Sequence, residues 1–320
     1  MEAANVKRRE PLTPGQRKKR VRRILLFGGL VIAVVLAVRI GGSYVWNYHI
    51  QPRMSQKEAY REAQAAIEQS DPAAAIEALA HAGARDALGN FFFSPMGGVA
   101  AYKDAEALRL SLEREMLQSA AVGDVVYWGQ YEQDTDPLNG REAIVWQVVA
   151  REGDALTLIS LYGLDCHAYQ NEYLPVSWAN SSLREWLNGS FLSSAFLLEE
   201  RAAIARHENA DAANPVFGTE GGKETVDHVY VPSIEEALAW FPSDGERIAQ
   251  STLYAKAWGA NYREEACWWW LRNPGDTAHR KAVVHNDGSI YYEGYTITMS
   301  TTATVRPVIN LDLTRLGAQS

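Results

Sequence analysis

The sequence predicts an α+β protein, on three observations. Helical periodicity fills the chain from Ser55 to about Ala121, apolar and polar residues alternate from Val122 onward, and helix signals then interrupt a set of strands that resumes toward the C-terminus. Strands, then helices, then strands again fit one mixed domain better than a repeating βαβ series. The 320 residues allow about two domains, and a hydrophobic content of 47% is enough to fill a core. Ten Trp and fifteen Tyr argue against a disordered chain.

The N-terminus comes first. Residues Met1 to Arg23 hold nine Lys or Arg against Glu2 and Glu10, a charge of +7, and the rest of the chain carries 22 basic and 37 acidic groups. Ile24 to Val38 is uncharged, Arg39 interrupts, and the run through Trp46 makes 23 residues. A span of about 30 Å at about 1.5 Å per residue needs roughly that length. Arg39 can snorkel at the outer end, with Tyr44 and Trp46 in the interfacial belt. The long basic segment, and the lack of a small-x-small site after Val38, favour a signal anchor over a cleaved signal peptide. Basic residues mark the cytoplasmic side, so the expected order is a tail (1–23), a transmembrane helix (24–46) and an extracellular body at the cell membrane. The acidic body will not be drawn to phosphate backbones, which excludes nucleic acid as a partner.

Residues 47–121 read as a helical stalk. Ala59, Tyr60, Ala63, Ala66 and Ile67 keep a helical rhythm, as do Ile76 with Leu79 and Leu108 with Leu112. Asp71-Pro72 supplies a cap and an N1 proline for the second helix, Gly83 ends it, and Tyr102 to Ala105 opens a third. The pattern resembles degenerate tetratricopeptide-like helix pairs.

The domain at 122–320 opens with two alternating segments, Asp124 to Gln133 and Ala143 to Ala150, around the polar turn Asp134 to Gly140, which predicts a hairpin. Leu156 to Leu161 follows as a third strand. Ser182 with Glu185 and Ser233 with Glu236 read as capping boxes for short helices. Strands return at Cys267–Arg272, Lys281–His285, Ser289–Tyr292 and Val305–Leu311.

Several pieces occur in a fixed order. They are Val122-Gly123-Asp124 with Trp128 to Asp134, Leu183 to Asn188 with Phe191-Leu192 and Ala195-Phe196, Cys267 to Gly275, Asp287-Gly288-Ser289, and Val305 to Leu311. Together they resemble the bacterial surface family known as domain of unknown function 6273, over about 122–311. One local departure is Asn273, where the family usually has Ser. The Trp-rich strand and the closing Arg-Pro strand distantly resemble the C-type lectin-like fold shared with formylglycine-generating enzymes. That resemblance implies a mixed lectin-like domain with its ligand segment ahead of the closing strand.

The resemblance brings no chemistry, and the motifs supply none. Asp134-x-Asp136 with Asn139-Gly140 has the look of an EF-hand loop, but its Asn and Gly are displaced by one and its twelfth position is Val145, so a hairpin turn is expected. Gly218 to Thr225 reads Gly-Lys-Glu where a phosphate loop needs Gly-Lys-Ser/Thr. His207-Glu208 lacks the second His of the zinc-protease motif, no Gly-x-Ser-x-Gly elbow occurs, and the Glu-Pro-Asn triplet of calcium-dependent lectins is missing. No metal, cofactor or catalytic set is therefore expected. Cys166 and Cys267 are an even pair on an oxidising side, open to a disulfide or to two separate small hydrophobes. A copper oxidase of the formylglycine type would also use two cysteines.

Alternation places Trp268, Trp270 and Arg272 on one face of their strand and Cys267, Trp269 and Leu271 on the other. Either face could be core, or the Trp side chains could stack on a ligand. His285, Asn286 and Asp287 in the next turn, with Tyr291, Tyr292 and Tyr295, make a polar-aromatic surface close in sequence. The expectation is a non-catalytic, membrane-anchored module that binds a glycan or peptide there. The alternatives are an enzyme on the same scaffold or a structural subunit of a surface complex.

Overall fold

The computed structural model describes Arg39 and residues 51–83, 100–136, 139–260, 262–263, 265–298 and 303–317. The expected cytoplasmic tail lies outside the described residues, as does the expected transmembrane helix apart from Arg39. Among the described residues, no helix is long and apolar enough to cross a membrane. Residues 1–54 and 55–320 are two compact units, and the second carries the α+β domain.

Among the described residues from 51 onward, three helices precede the strands: α1 (Gln51–Glu68), α2 (Pro72–Ala82) and α3 (Ala105–Ser119). Asp71 caps α2 as expected, its carboxylate accepting from the Ala74 N–H at 3.1 Å. Ala59, Tyr60, Ala63, Leu79, Ala82 and Ala105 form a small core among the three helices.

The strands follow in chain order. The first four are β1 (Val125–Tyr131), β2 (Glu142–Glu152), β3 (Ala155–Ser160) and β4 (Asp165–Cys166). Next come β5 (Ile204–Ala205), β6 (His207–Asn209), β7 (Thr225–Asp227), β8 (Val229–Tyr230), β9 (Ala249–Gln250), β10 (Tyr262–Arg263) and β11 (Ala266–Cys267). The last five are β12 (Trp269–Pro274), β13 (Arg280–Val284), β14 (Ile290–Thr296), β15 (Thr304–Val305) and β16 (Val308–Asp312). A six-stranded antiparallel sheet runs β1-β2-β3-β16-β5, with β8 also on β16. A five-stranded sheet runs β14-β13-β12-β15-β4, antiparallel except between β12 and β15.

The helical segment is not a free-standing stalk. Tyr127 and Ala143, on the outer face of the β1–β2 hairpin, are buried with Ile76 and Ala80 of α2. The opposite face of the same hairpin sends Val126, Trp128, Ile144, Trp146 and Val148 into the main core. Alternation predicts a hairpin half open to water, but here both faces are covered. Burying Ile76 alone contributes about 1.5–3 kcal/mol. A buried ion triad adds a second tie, because Arg109 of α3 bonds Glu113 at 2.5 Å and Glu200 at 2.8 Å. Glu200 sits in the short helix Leu198–Ala203, far along the chain, so no spatial boundary falls at 121/122.

Local signals elsewhere held or slipped by one residue. Ser233 and Glu236 form the reciprocal capping box. At the earlier helix the cap is Ser181, whose hydroxyl accepts from Arg184 N, and Ser182 is the first helical residue.

Candidate functional site

β12 has two buried faces. Trp270 points into the main core, and Trp269 and Leu271 point into a second core with Cys267, Ala282 and Val284. The expected alternation is present, but Ile234 and Ala237 of the helix Ile234–Trp240 roof the second face. Trp270 is therefore fully buried, donating its Nε1–H to His167 O at 2.8 Å, and cannot stack on a ligand. Arg272, only 3% exposed, donates to Ala210 O and Val231 O and pairs with Glu236 at 3.2 Å. Both are structural residues, which corrects their place in the expected surface.

Trp268, one residue before β12, is different. It is half-buried, and its ring packs 4.5 Å from His285 and 4.5 Å from Tyr295. His285 lies between Trp268 and Tyr291, stacked on both, and Tyr291 meets Tyr295 at 5.5 Å. Four of the expected residues thus form one partly exposed cluster. Tyr291 and Tyr295 come from β14, the edge strand, His285 from the turn that precedes it, and Trp268 from the residue before β12. Tyr292 faces the other way and packs on the second core, as strand alternation requires. Gly294, at φ +74°, makes the irregular step in the β13–β14 register that sets Tyr295 opposite Lys281 and Tyr291 opposite Val283. A Cβ there would lie 2.4 Å from Lys281 O.

The turn is held from below and from within. Asn286 Oδ1 accepts from Trp268 Nε1–H at 3.1 Å. Asp287 accepts from the backbone and hydroxyl of Ser289, and those bonds, the hydroxyl's first, hold its carboxyl below the ordinary range. Arg247 Nε donates to Gly288 O at 2.9 Å. Burial pushes the His285 imidazole below its ordinary pKa, outweighing the pull of Asp287, so the ring is neutral near pH 7. Its Nε2 is buried and has no hydrogen-bond partner among the described residues. Tyr291 donates to Glu293 at 2.7 Å, which raises the pKa of its phenol.

The expected disulfide is not formed. Cys166 and Cys267 are both buried thiols. Cys166 pairs in register with Thr304 and its Sγ donates to Ala303 O, while Cys267 Sγ touches the Thr304 hydroxyl at 3.3 Å. Each fills a packed site of its own, as separate small hydrophobes do.

A second aromatic run was not legible in sequence. Tyr131 packs 5.2 Å from Phe191 and 6.1 Å from Tyr254, and Trp186 lies 3.9 Å from His167. Asp165 accepts from the Tyr131 hydroxyl and, at 3.2 Å, meets His167 Nε2. Burial pushes the Tyr131 phenol far up, followed by the Asp165 charge. These residues come from four separate segments, and although Tyr131, Trp186 and Phe191 lie in the ordered motifs, nothing along the chain brings them together. Among the described residues, the carboxylates able to surround a metal ion are Glu132, Asp134 and Glu142.

Among the described residues, four sheets, two of them large, and a helical layer packed on one hairpin make up a mixed α+β domain. The chain belongs to the family described as Domain of unknown function (DUF6273), which matches residues 153–313. The match begins later than the 122–311 expected, so β1 and the whole of β2 precede it. No curated protein matches the chain, and no solved structure does.

Proposed function

We propose that this protein is a membrane-anchored, non-catalytic binding module that presents its aromatic edge to a glycan or peptide outside the cell. The observation that carries the reading is the cluster of Trp268, His285, Tyr291 and Tyr295, four contiguous rings that remain partly exposed beside the edge strand. Rings locked against one another offer apolar area at little entropic cost on binding, and the neighbouring polar groups can orient a ligand. The anchor rests on the basic tail and the apolar run at 24–46. A C-type lectin-like ancestry belongs to the same proposal and rests on the order of the Trp-rich and Arg-Pro strands.

Glycan and peptide arrays probed with residues 55–320 test it. That fragment keeps the helical layer on which the β1–β2 hairpin packs. Truncating Tyr291 or Tyr295 to Ala should each cost about 1–2 kcal/mol of binding to the ligand so found. Variants that bind like the parent would place the site elsewhere.

A further inference from the structure

Arg306 lies in the link between β15 and β16, where the chain passes from one large sheet to the other. It is 2% exposed, and its Nε donates to Ser160 O of β3 at 3.0 Å. Its guanidinium carbon stands 4.9 Å from the centre of the Trp269 ring and 5.5 Å from that of Phe241, both buried. Rings can cover the faces of a guanidinium, but its N–H groups point outward in its own plane and need acceptors. Nη1 is sealed from solvent and has none among the described residues.

Other deeply buried cations of the domain face a counter-charge. Arg109 meets Glu113 and Glu200, Arg247 pairs with Asp244, Arg272 pairs with Glu236, and Lys281 feels the charge of Asp211. Arg306 makes no ion pair with any described carboxylate. Burial pulls its pKa down only to about 10, so it is still a cation at neutral pH. The ionisable group acting on it is Cys267. Burial raises the pKa of that thiol above its ordinary value, so it holds its proton and supplies no charge.

A second polar group is stranded close by. Gly163 follows Ser160 by three residues, and a Cβ on it would stand 3.0 Å from Cys267 Sγ. Ser251 forms a bridge with Gly163, and its hydroxyl is sealed and without a partner. A charge buried without a counter-charge is costly, and one backbone carbonyl does not neutralise it.

We propose that a small monovalent anion of the chloride class binds at Arg306 Nη1, with the Ser251 hydroxyl as a second donor. Both groups donate, which suits an anion and not a metal ion. An ion sealed among aromatic rings must shed its water, which favours a weakly hydrated single charge over phosphate or sulfate. Such an ion would neutralise the point where the link between the sheets is tied to β3, so its binding stabilises the folded state.

The test uses the full chain in detergent, dialysed into sodium gluconate, whose anion is too large to be enclosed. Replacing gluconate by chloride or bromide at millimolar concentrations and fixed ionic strength should raise the melting temperature, with saturation at a single site. Sulfate in the same range should raise it far less. Arg306→Met removes the charge and should melt at the same temperature in gluconate and in chloride. Ser251→Ala leaves the guanidinium in place and should weaken the apparent chloride affinity about fivefold, the worth of one hydrogen bond. A parent indifferent to chloride, an equal response to sulfate, or a chloride response retained by Arg306→Met would overturn the proposal. If the methionine variant does not fold, an unchanged chloride affinity in Ser251→Ala overturns it.

Discussion

Replacing Arg109 by Met asks whether the helical layer is part of the domain. Arg109 is 1% exposed, and Glu113 and Glu200 are fully buried. Burial is the largest effect on Glu113 and raises its carboxyl to about 8, so at neutral pH it holds a proton and the triad is close to neutral. Removing the guanidinium leaves the Glu200 carboxylate with its bond from Leu197 N at 2.5 Å but no counter-charge. Breaking a buried ion pair from one side costs about 3–5 kcal/mol. Glu113 gives the triad a pH dependence of its own. Folded, it holds a proton that the unfolded chain releases above about pH 4.5. Its contribution to stability is therefore greatest at acid pH and is lost as pH rises through about 8, by at most about 1.4 kcal/mol per unit. Urea unfolding of residues 55–320 at pH 7, followed by far-ultraviolet circular dichroism, measures the loss in Arg109→Met. Repeating it at pH 8, 6 and 5 on the parent and Glu113→Gln isolates the Glu113 part. A loss under about 1 kcal/mol at pH 7, or a pH dependence that Glu113→Gln leaves unchanged, would refute the argument. The triple change Arg109→Met, Glu113→Leu, Glu200→Gln should recover much of the loss, because no charge is then left buried.

Trp270→Ala should lower stability by about 3–5 kcal/mol in the same urea assay, as expected for a fully buried Trp. Gly288→Ala should cost about 1–3 kcal/mol or more, since φ is +81° and the added Cβ would lie 1.7 Å from Asp244 O; an unchanged urea midpoint would count against the turn geometry. Both cysteines should resist iodoacetamide in the native protein and react on unfolding. Recovery of a Cys166–Cys267 cross-linked peptide from non-reduced protein would contradict the structure.

What could be foreseen was what neighbouring residues decide. The Asp71-Pro72 cap, the Ser233–Glu236 box and the β1–β2 hairpin depend on a few adjacent groups, and all three are present. Long-range covering is another matter. Nothing local says that a helix roofs the Trp269 face of β12, or that α2 covers the outer face of the first hairpin. Lys281 is likewise covered from a distance: it is fully buried, with Nζ 3.3 Å from Arg272 O and 4.9 Å from the Tyr169 ring centre. Burial lowers its pKa to about 8. The aromatic edge was partly legible because Tyr291 and Tyr295 share one alternation phase, whereas the part of Trp268 in it depended on a strand brought alongside.

The pairing of β2 with β3 bears on how this domain can be cut. The family match starts at residue 153, inside the turn that joins those two strands. A fragment trimmed there would keep β3 and discard its partner. Ala155–Ser160, with Leu156, Leu158 and Ile159 normally sealed, would become a naked sheet margin. Unpaired apolar margins recruit other chains by strand addition. In the intact protein the hairpin acts as a selvedge, finishing the sheet on that side so that copies of the molecule do not weave into one another.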